Sequence, residues 1–369
     1  MKTKNMATTD EDCIICVDVM SIKTHLLPLN KMIEFHQCKG TGLYAPANCV
    51  LVIIARGIRH NWKQPVAYFF VHNSCDVQDL HYVITTSIRR HVGLNVLALV
   101  SDQGPNFYKF CNELGVNMDK PYFFIDESKI YYIFDTPHLL KSTRNNLFKY
   151  DFKLGKNVIK KQYIEDLFNF DVGKTIRLVP RVSDIHINPS PLHKMKVSLA
   201  AQILSHSVAC AMEALVTFNL FWSDARQTAE FIGDMDKLFN ILNSSNFKST
   251  KILNTPYQGS EEQENHLLKS LSIFENLKVF EGNKEITNNV KFLKGWRQTI
   301  RAVLMLWDDL RPRVKFMRTR FMNLEASEIF FENIGSRGRY VRKPTPIQFK
   351  RLYKKIFCHQ FFKHVDSGT

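Results

Sequence analysis

Three aspartates stand where an aspartate is costly. Asp18 lies within the apolar run Cys13–Ile22 (CIICVDVMSI). Asp102 directly follows the run Asn95–Ser101 (NVLALVS), and Asp135 follows Ile130–Phe134 (IYYIF). An ionised carboxylate in or against such a segment needs a hydrogen-bond partner, a counter-charge or a metal ion. Ligands collect at strand ends in open α/β sheets. Asp18 together with Asp102 or Asp135 could therefore hold divalent cations through hard oxygen ligands. Two such ions about 3.5–4 Å apart activate a water or a 3′-hydroxyl and stabilise the leaving oxygen of a phosphodiester. That chemistry needs a third carboxylate, which can come from far along the chain. The competing reading is local: Asp18 makes a short-range hydrogen bond and Asp102 caps the helix that follows. Spacing leaves both readings open.

The elements that must position these residues are legible as patterns. Cys13–Ile22 reads as a buried strand, and Lys31–Gln37, Cys49–Gly57 and Val66–His72 as three more, separated by Gly-, Pro- and Asn-containing stretches in the manner of a meander. A helix from about Asp76 to His91, capped by Asn73 or Ser74 and ended by Gly93, precedes the strand Asn95–Ser101. A turn at Asp102–Pro105 leads into a short helix ending near Gly115. The strand Ile130–Phe134 then runs into a helix over His138–Leu147, with Pro137 in its first turn. From about Asp151 helical patterns dominate, as in Leu192–Leu220, Ser223–Leu242, Glu261–Phe280 and Val290–Leu310, after a loop-rich entry at Phe170–Pro191. A helix near Asn323–Ile334, a Gly/Arg/Pro loop at Gly335–Pro346 and a basic helix near Pro346–His364 close the chain. The expected organisation is a polar, disordered segment at 1–12, an α/β part at 13–150, a helical insertion at 151–310 and a returning part at 311–369.

Of the 369 residues, 45% are hydrophobic and 23% charged, ordinary globular composition with enough apolar material for a sizeable core. No run approaches the roughly 20 apolar residues of a membrane span, and Met1–Asp12 carries no apolar signal-peptide core. The eight cysteines are scattered through mostly apolar contexts, which suits reduced thiols better than a disulfide framework. Cys13 and Cys16 have CxxC spacing, but no second pair accompanies them and both fall in a buried strand, so they read as structural. The net charge is +15, which makes a polyanion a natural partner. From Arg311 onward there are fourteen Lys/Arg and four Asp/Glu, so ten of those net charges lie in the last sixth of the chain. A solvated basic face is the plain alternative.

Beyond these patterns, six segments resemble P element-type DNA transposases and their THAP-domain relatives. They are Val17–Lys23 (VDVMSIK), Ser101–Asn106 (SDQGPN), Phe134–Asn146 (FDTPHLLKSTRNN), Asn323–Phe331 (NLEASEIFF), and the pair Ser336–Gly338 with Pro344–Phe349 (SRG, PTPIQF). The Asp135 segment is the most specific of them. The resemblance implies an α/β, RNase H-like mixed sheet flanked by helices and interrupted by a mostly α-helical insertion that binds GTP. It implies metal ligation and catalysis by Asp18, Asp102 and Glu328 with Mg²⁺ or Mn²⁺. Asp135 and His138 then support the site or the DNA. His138, Lys141, Arg144, Arg318, Arg320, Arg337 and Arg339 are the candidate DNA contacts, since phosphate contacts position DNA near the chemistry.

The same resemblance sets out a nucleotide site. Arg181 and the segment holding Lys196 and Val197 match its phosphate side, and Phe239, Asn240 and Asn243 its guanine side. Arg181 and Lys196 can neutralise phosphates, Phe239 can stack on a base, and Asn243 can bond a base edge. No Walker-type GxxxxGK[ST] occurs, so this would not be a P-loop. Two positions depart from the family. Asn240 replaces an aspartate, and an amide offers one acceptor oxygen where a carboxylate offers two. Glu325, counted with the nucleotide set, replaces an aspartate three residues before Glu328. The zinc-coordinating N-terminal module typical of the family does not fit within Met1–Asp12. The expected partners are double-stranded DNA, a nucleotide and a second copy of the chain, with no membrane, in the nucleus. A non-catalytic, domesticated DNA-binding or scaffold derivative is the alternative.

Overall fold

The computed structural model describes residues 11–24, 35–37, 44–73, 75–89, 94–337 and 343–366. In chain order its elements are β1 (Asp12–Ser21), β2 (Phe35–Gln37), β3 (Tyr44–Pro46), β4 (Cys49–Gly57), β5 (Lys63–Val71), α1 (Val77–Arg89), β6 (Asn95–Ser101), α2 (Pro105–Glu113), β7 (Tyr122–Ile125) and β8 (Ser128–Phe134). There follow α3 (Thr136–Leu147), β9 (Asp151–Leu154), β10 (Asn157–Ile159), α4 (Lys161–Asp171), α5 (Asp184–Ile187), α6 (Pro191–Lys194), α7 (Val197–Ile203), α8 (His206–Thr217), α9 (Ala225–Leu242), α10 (Glu261–Asn276), β11 (Leu277–Glu281), β12 (Lys284–Glu285) and α11 (Lys291–Leu310). The last two are α12 (Glu325–Arg337) and α13 (Pro346–Asp366). The chain forms two compact units, one of residues 1–135 and 312–369, the other of residues 136–311. The first boundary falls before the expected position 150, because α3 packs within the second unit, on α7 and α11.

The first unit is built on a six-stranded sheet in the order β5-β4-β1-β6-β8-β7. β4 runs antiparallel to both β5 and β1; β1, β6 and β8 are parallel, and β7 returns antiparallel to β8. This is the expected RNase H-like mixed sheet with flanking helices. β1 is central and covered on both faces, so all of its residues from Asp12 to Val17 are buried in one unbroken run rather than alternating. The expectation that residue 12 belongs to a disordered segment is corrected here: Asp12 opens β1 and its buried carboxylate pairs with Arg313 at 2.8 Å. Strand β7 had no counterpart in the sequence reading. It is a four-residue edge strand closed onto β8 by a tight turn with Asp126 at φ 54°, too short to leave a period of its own. Most of the strand expected at Lys31–Gln37 lies outside the described residues, as do Ser74, His91 and Gly93. An aromatic cluster of Tyr68, Phe70, Phe330, Phe349 and Tyr353 seats α12 and α13 against β5.

The second unit is mostly helical, as expected, but also contains a four-stranded sheet in the order β10-β9-β11-β12. The helix expected over Glu261–Phe280 ends at Asn276, and Leu277–Glu281 turns into β11 beside β9. The stretch Val197–Thr217 is long and apolar enough to cross a membrane, with a mean hydropathy of 1.4. That corrects the expectation that no such run exists. The stretch is broken into α7 and α8, with Ser205 capping the second by accepting from the Val208 N–H, and α8 packs on α9 as a core helix. Trp296 is fully buried and donates its indole N–H to Thr143 Oγ1 at 2.8 Å, tying α11 to α3.

Candidate functional site

Asp18 and Asp102 come from neighbouring parallel strands. The register pairs Cys16 with Val100, two residues before each aspartate, so both carboxylates emerge at the same edge of the sheet as their strands leave the core. Asp18 is half-buried and its Oδ1 accepts the Val19 N–H at 2.7 Å. Asp102 Oδ1 accepts the Gly104 N–H at 2.8 Å, closing the turn into α2. A Cβ at position 104 would lie 2.9 Å from that same oxygen, so a side chain there would push the Asp102 carboxylate from its place. The local hydrogen bond foreseen for Asp18 is therefore present, but Asp102 does not cap α2 as the competing reading expected: Gly104 is the N-cap residue, and Asp102 accepts its N–H within the turn. Each bond engages one carboxylate oxygen.

Asp135 behaves differently. It ends β8, the strand parallel to β6, and its N–H donates to Ser101 O at 2.9 Å. Its side chain is buried, and Oδ1 accepts the Leu324 N–H at 2.7 Å. Leu324 is the residue whose carbonyl accepts the first helical bond of α12, from the Glu328 N–H at 3.0 Å. Asp135 thus satisfies a donor at the start of the helix carrying Glu328, one of the amides a helix leaves unpaired. Asn323 adds a second bond, its Oδ1 accepting the Glu325 N–H at 3.0 Å. Glu328 itself is exposed in the first turn of α12.

Arg56 completes this anchor, and sequence reasoning missed it. Its guanidinium is 3% exposed, donates to Asn323 Oδ1 at 3.2 Å and pairs with Glu325 Oε2 at 3.0 Å. Arg320 takes the other oxygen of Glu325 at 2.5 Å. Burial raises the Glu325 pKa, but the hydrogen bonds and charges of Arg320 and Arg56 outweigh it and the net shift is downward. The signal that marked Asp18, a charge inside an apolar strand, was equally present at Arg56 in CVLVIIARG. Glu325, counted with the nucleotide set, has both oxygens engaged by arginines of the first unit, where they fix α12. Cys16 contributes a sulfur contact to Asn323 O at 3.4 Å, and burial pushes its thiol pKa up to about 12. Cys13 is also fully buried, with its thiol raised by the same cause, so the CxxC pair is structural.

Among the described residues, no three His, Cys, Asp or Glu side chains converge closely enough to hold a metal ion. The fit to divalent cations rests on the donor set: two aspartates at one sheet edge, and a glutamate on a helix that packs against β1 and β4.

The candidate DNA contacts divide. Arg144 is corrected outright. It is completely buried, donates to the carbonyls of His193 and Lys194 at 3.5 and 3.2 Å, and burial lowers its pKa. It holds the α6–α7 connection in place and offers nothing to a phosphate. Arg318 donates to Arg59 O at 2.9 Å and lies over the Phe316 and Phe321 rings, and Arg320 is committed to Glu325. His138 and Lys141 sit half-exposed on α3. Arg337 ends α12, its side chain lying outside the description, and Arg339 falls outside the described residues.

Within the second unit, the nucleotide candidates lie on three segments. Arg181 is exposed in the loop before α5. That loop is organised by Asp171, whose fully buried carboxylate accepts the N–H groups of Leu178 and Val179 and pairs with Arg177 at 3.0 Å. Lys196 is the N-cap residue of α7 and Val197 its first residue. Phe239, Asn240 and Asn243 form the C-terminal turn of α9, all half-exposed. Helix α3 packs on both α7 and α9.

A family profile described as "TNP-like, RNase H N-terminal domain" matches residues 1–115, and one described as "TNP-like, GTP-binding insertion domain" matches residues 137–256. The chain is 27% identical over 363 residues to the Transposable element P transposase of Drosophila melanogaster, covering 96% of this chain and 46% of that protein. It is 26% identical to the DNA transposase THAP9 of Homo sapiens over 84% of this chain and 36% of that protein. The chain therefore spans less than half the length of these relatives. The solved Drosophila P element transposase strand transfer complex superposes with a TM-score of 0.83 at 26% identity, covering 97% of this chain and 79% of that one.

Proposed function

This chain belongs to the P element-type DNA transposases, and on that premise we propose that it is a catalytic core for divalent-metal-dependent DNA strand cleavage and strand transfer. The observation that carries the reading is the shared sheet edge of Asp18 and Asp102, with α12 anchored through Asp135 and Arg56 so that Glu328 enters from a helix packed on the same strand. Asp18, Asp102 and Glu328 would hold Mg²⁺ or Mn²⁺ through carboxylate oxygens. When bound, the ions supply activation of an attacking water or 3′-hydroxyl and stabilise the leaving oxygen. The chain's own residues set orientation: Gly104 lets the Asp102 turn close, and Asp135 fixes where α12 begins.

The basic C-terminal part and Lys141 would draw in the phosphates of double-stranded DNA by charge. Work on DNA implies a nuclear site of action, and synapsis of two DNA ends implies a second copy of the chain. The second unit would bind GTP, with Arg181 and Lys196 at the phosphates and Phe239, Asn240 and Asn243 at the base.

The test is cleavage or joining of end-bearing DNA by purified protein with Mg²⁺ or Mn²⁺. Glu328→Gln should abolish it, and metal-dependent activity surviving in that variant would remove the assignment. A second reading, a domesticated DNA-binding derivative without catalysis, draws on the lack, among the described residues, of a three-carboxylate cluster. It is favoured if wild type binds DNA in the same assay but neither cleaves nor joins it.

A further inference from the structure

One turn before Asn240 on the same helix lies Asp236, and the two side chains are joined. Asn240 donates its Nδ2–H to Asp236 Oδ2 at 3.0 Å. A side-chain amide has two faces of opposite character, an NH₂ that donates and an oxygen that accepts. Committing Nδ2 to a carboxylate fixes which face is presented elsewhere. If the amide turned over, its oxygen would meet the carboxylate acceptor to acceptor and the hydrogen bond would be lost. Asp236 is held in turn: the backbone N–H of His206, at the start of α8, donates to it, and the His206, Lys237 and Lys251 side chains are the titratable groups around it.

We infer that Asp236 is a specificity-determining positioning residue of the nucleotide site, holding the Asn240 amide with its oxygen outward so that the site turns an acceptor toward the base and keeps a preference for guanine over adenine. This rests on the reading of the second unit as a nucleotide-binding unit with Asn240 at the base. The selectivity follows from the bases themselves. Guanine carries N–H donors at N1 and N2 of its Watson–Crick edge, whereas adenine places a bare acceptor nitrogen at N1. An outward oxygen accepts from the first and repels the second. A freely turning amide would serve both, offering its NH₂ to adenine N1. An aspartate at position 240 would need no such device, being an acceptor on both oxygens. The Asp236–Asn240 pair achieves the same polarity with a carboxylate placed one turn back.

The experiment is calorimetric titration of the full chain with GTP and with ATP, for wild type, Asp236→Ala, and the exchange Asp236→Asn/Asn240→Asp. The exchange keeps a hydrogen bond between the two positions and keeps an acceptor toward the base. Wild type should favour GTP, Asp236→Ala should lower the GTP-to-ATP affinity ratio by about tenfold, the worth of one hydrogen bond to a charged or desolvated partner, and the exchange should restore it. An unchanged ratio in Asp236→Ala, or a ratio that falls without recovery in the exchange variant, overturns the inference, the latter because it marks a packing effect. Wild type binding both nucleotides equally also overturns it while leaving the nucleotide reading intact. No binding of either nucleotide by wild type overturns both.

Discussion

Asp135 accepts the backbone N–H of Leu324 at 2.7 Å across 189 residues of sequence. The bond joins the end of a central strand to the first turn of α12, and it is buried. Removing the acceptor leaves a buried donor with no partner, which costs about 1–3 kcal/mol. Asp135→Ala should therefore lower the unfolding free energy of the chain by that order in a urea titration. Asp135→Asn, whose oxygen can still accept, should lose less. Metal-dependent DNA cleavage should fall in the alanine variant through misplacement of Glu328. Equal stability of wild type and Asp135→Ala would show that Leu324 finds another acceptor at no cost.

Glu325 and Glu328 lie one turn apart on α12 and should respond oppositely. Glu325→Ala strands the nearly fully buried Arg56, a change expected to cost on the order of 2–4 kcal/mol in thermal or chemical unfolding. Glu328 is exposed, so Glu328→Gln should leave the melting temperature within about a degree or two of wild type while abolishing strand cleavage. A large loss of stability in Glu328→Gln would reassign that residue to a structural role.

The Glu325 carboxyl also sets a pH dependence. Its pKa in the folded chain lies below the ordinary 4.5, so the folded state binds that proton less readily than the unfolded chain. The stabilisation is complete above about pH 5 and is lost as pH falls through 4.5 and below the folded value. Stability measured against pH should drop there in wild type, and the difference between wild type and Glu325→Gln should shrink over the same interval. A difference that stays constant from pH 6 to pH 3 would contradict the linkage.

Arg144 offers a test of burial against charge. Because it is sealed inside the second unit and holds the His193 and Lys194 carbonyls, Arg144→Ala should destabilise that unit by several degrees and weaken nucleotide binding through the displaced Lys196 segment. It should leave the salt dependence of DNA binding unchanged, since no phosphate contact is lost. Lys141→Ala should do the reverse, flattening the salt slope by about one while sparing stability. A flattened slope in Arg144→Ala would restore it to the DNA-contacting set.

Local pattern determined much of this protein. Apolar runs marked β1, β4, β6 and β8 as strands, and the helices α9, α11 and α13 fell close to where helical pattern put them. Carboxylates in or beside those runs marked Asp18, Asp102 and Asp135, and segment resemblance supplied Glu328. Period and type say nothing of partners distant in sequence. Only the tertiary structure decided that Asp102 shares a sheet edge with Asp18 while Asp135 turns inward to hold Leu324. Only it decided that Glu325 is consumed by Arg56 and Arg320, and that Arg144 is core. The physical reason is the same in each case. A charged side chain announces that its charge must be met, and whether a metal, a phosphate, a base or a neighbouring residue meets it depends on which groups the fold brings within hydrogen-bond reach.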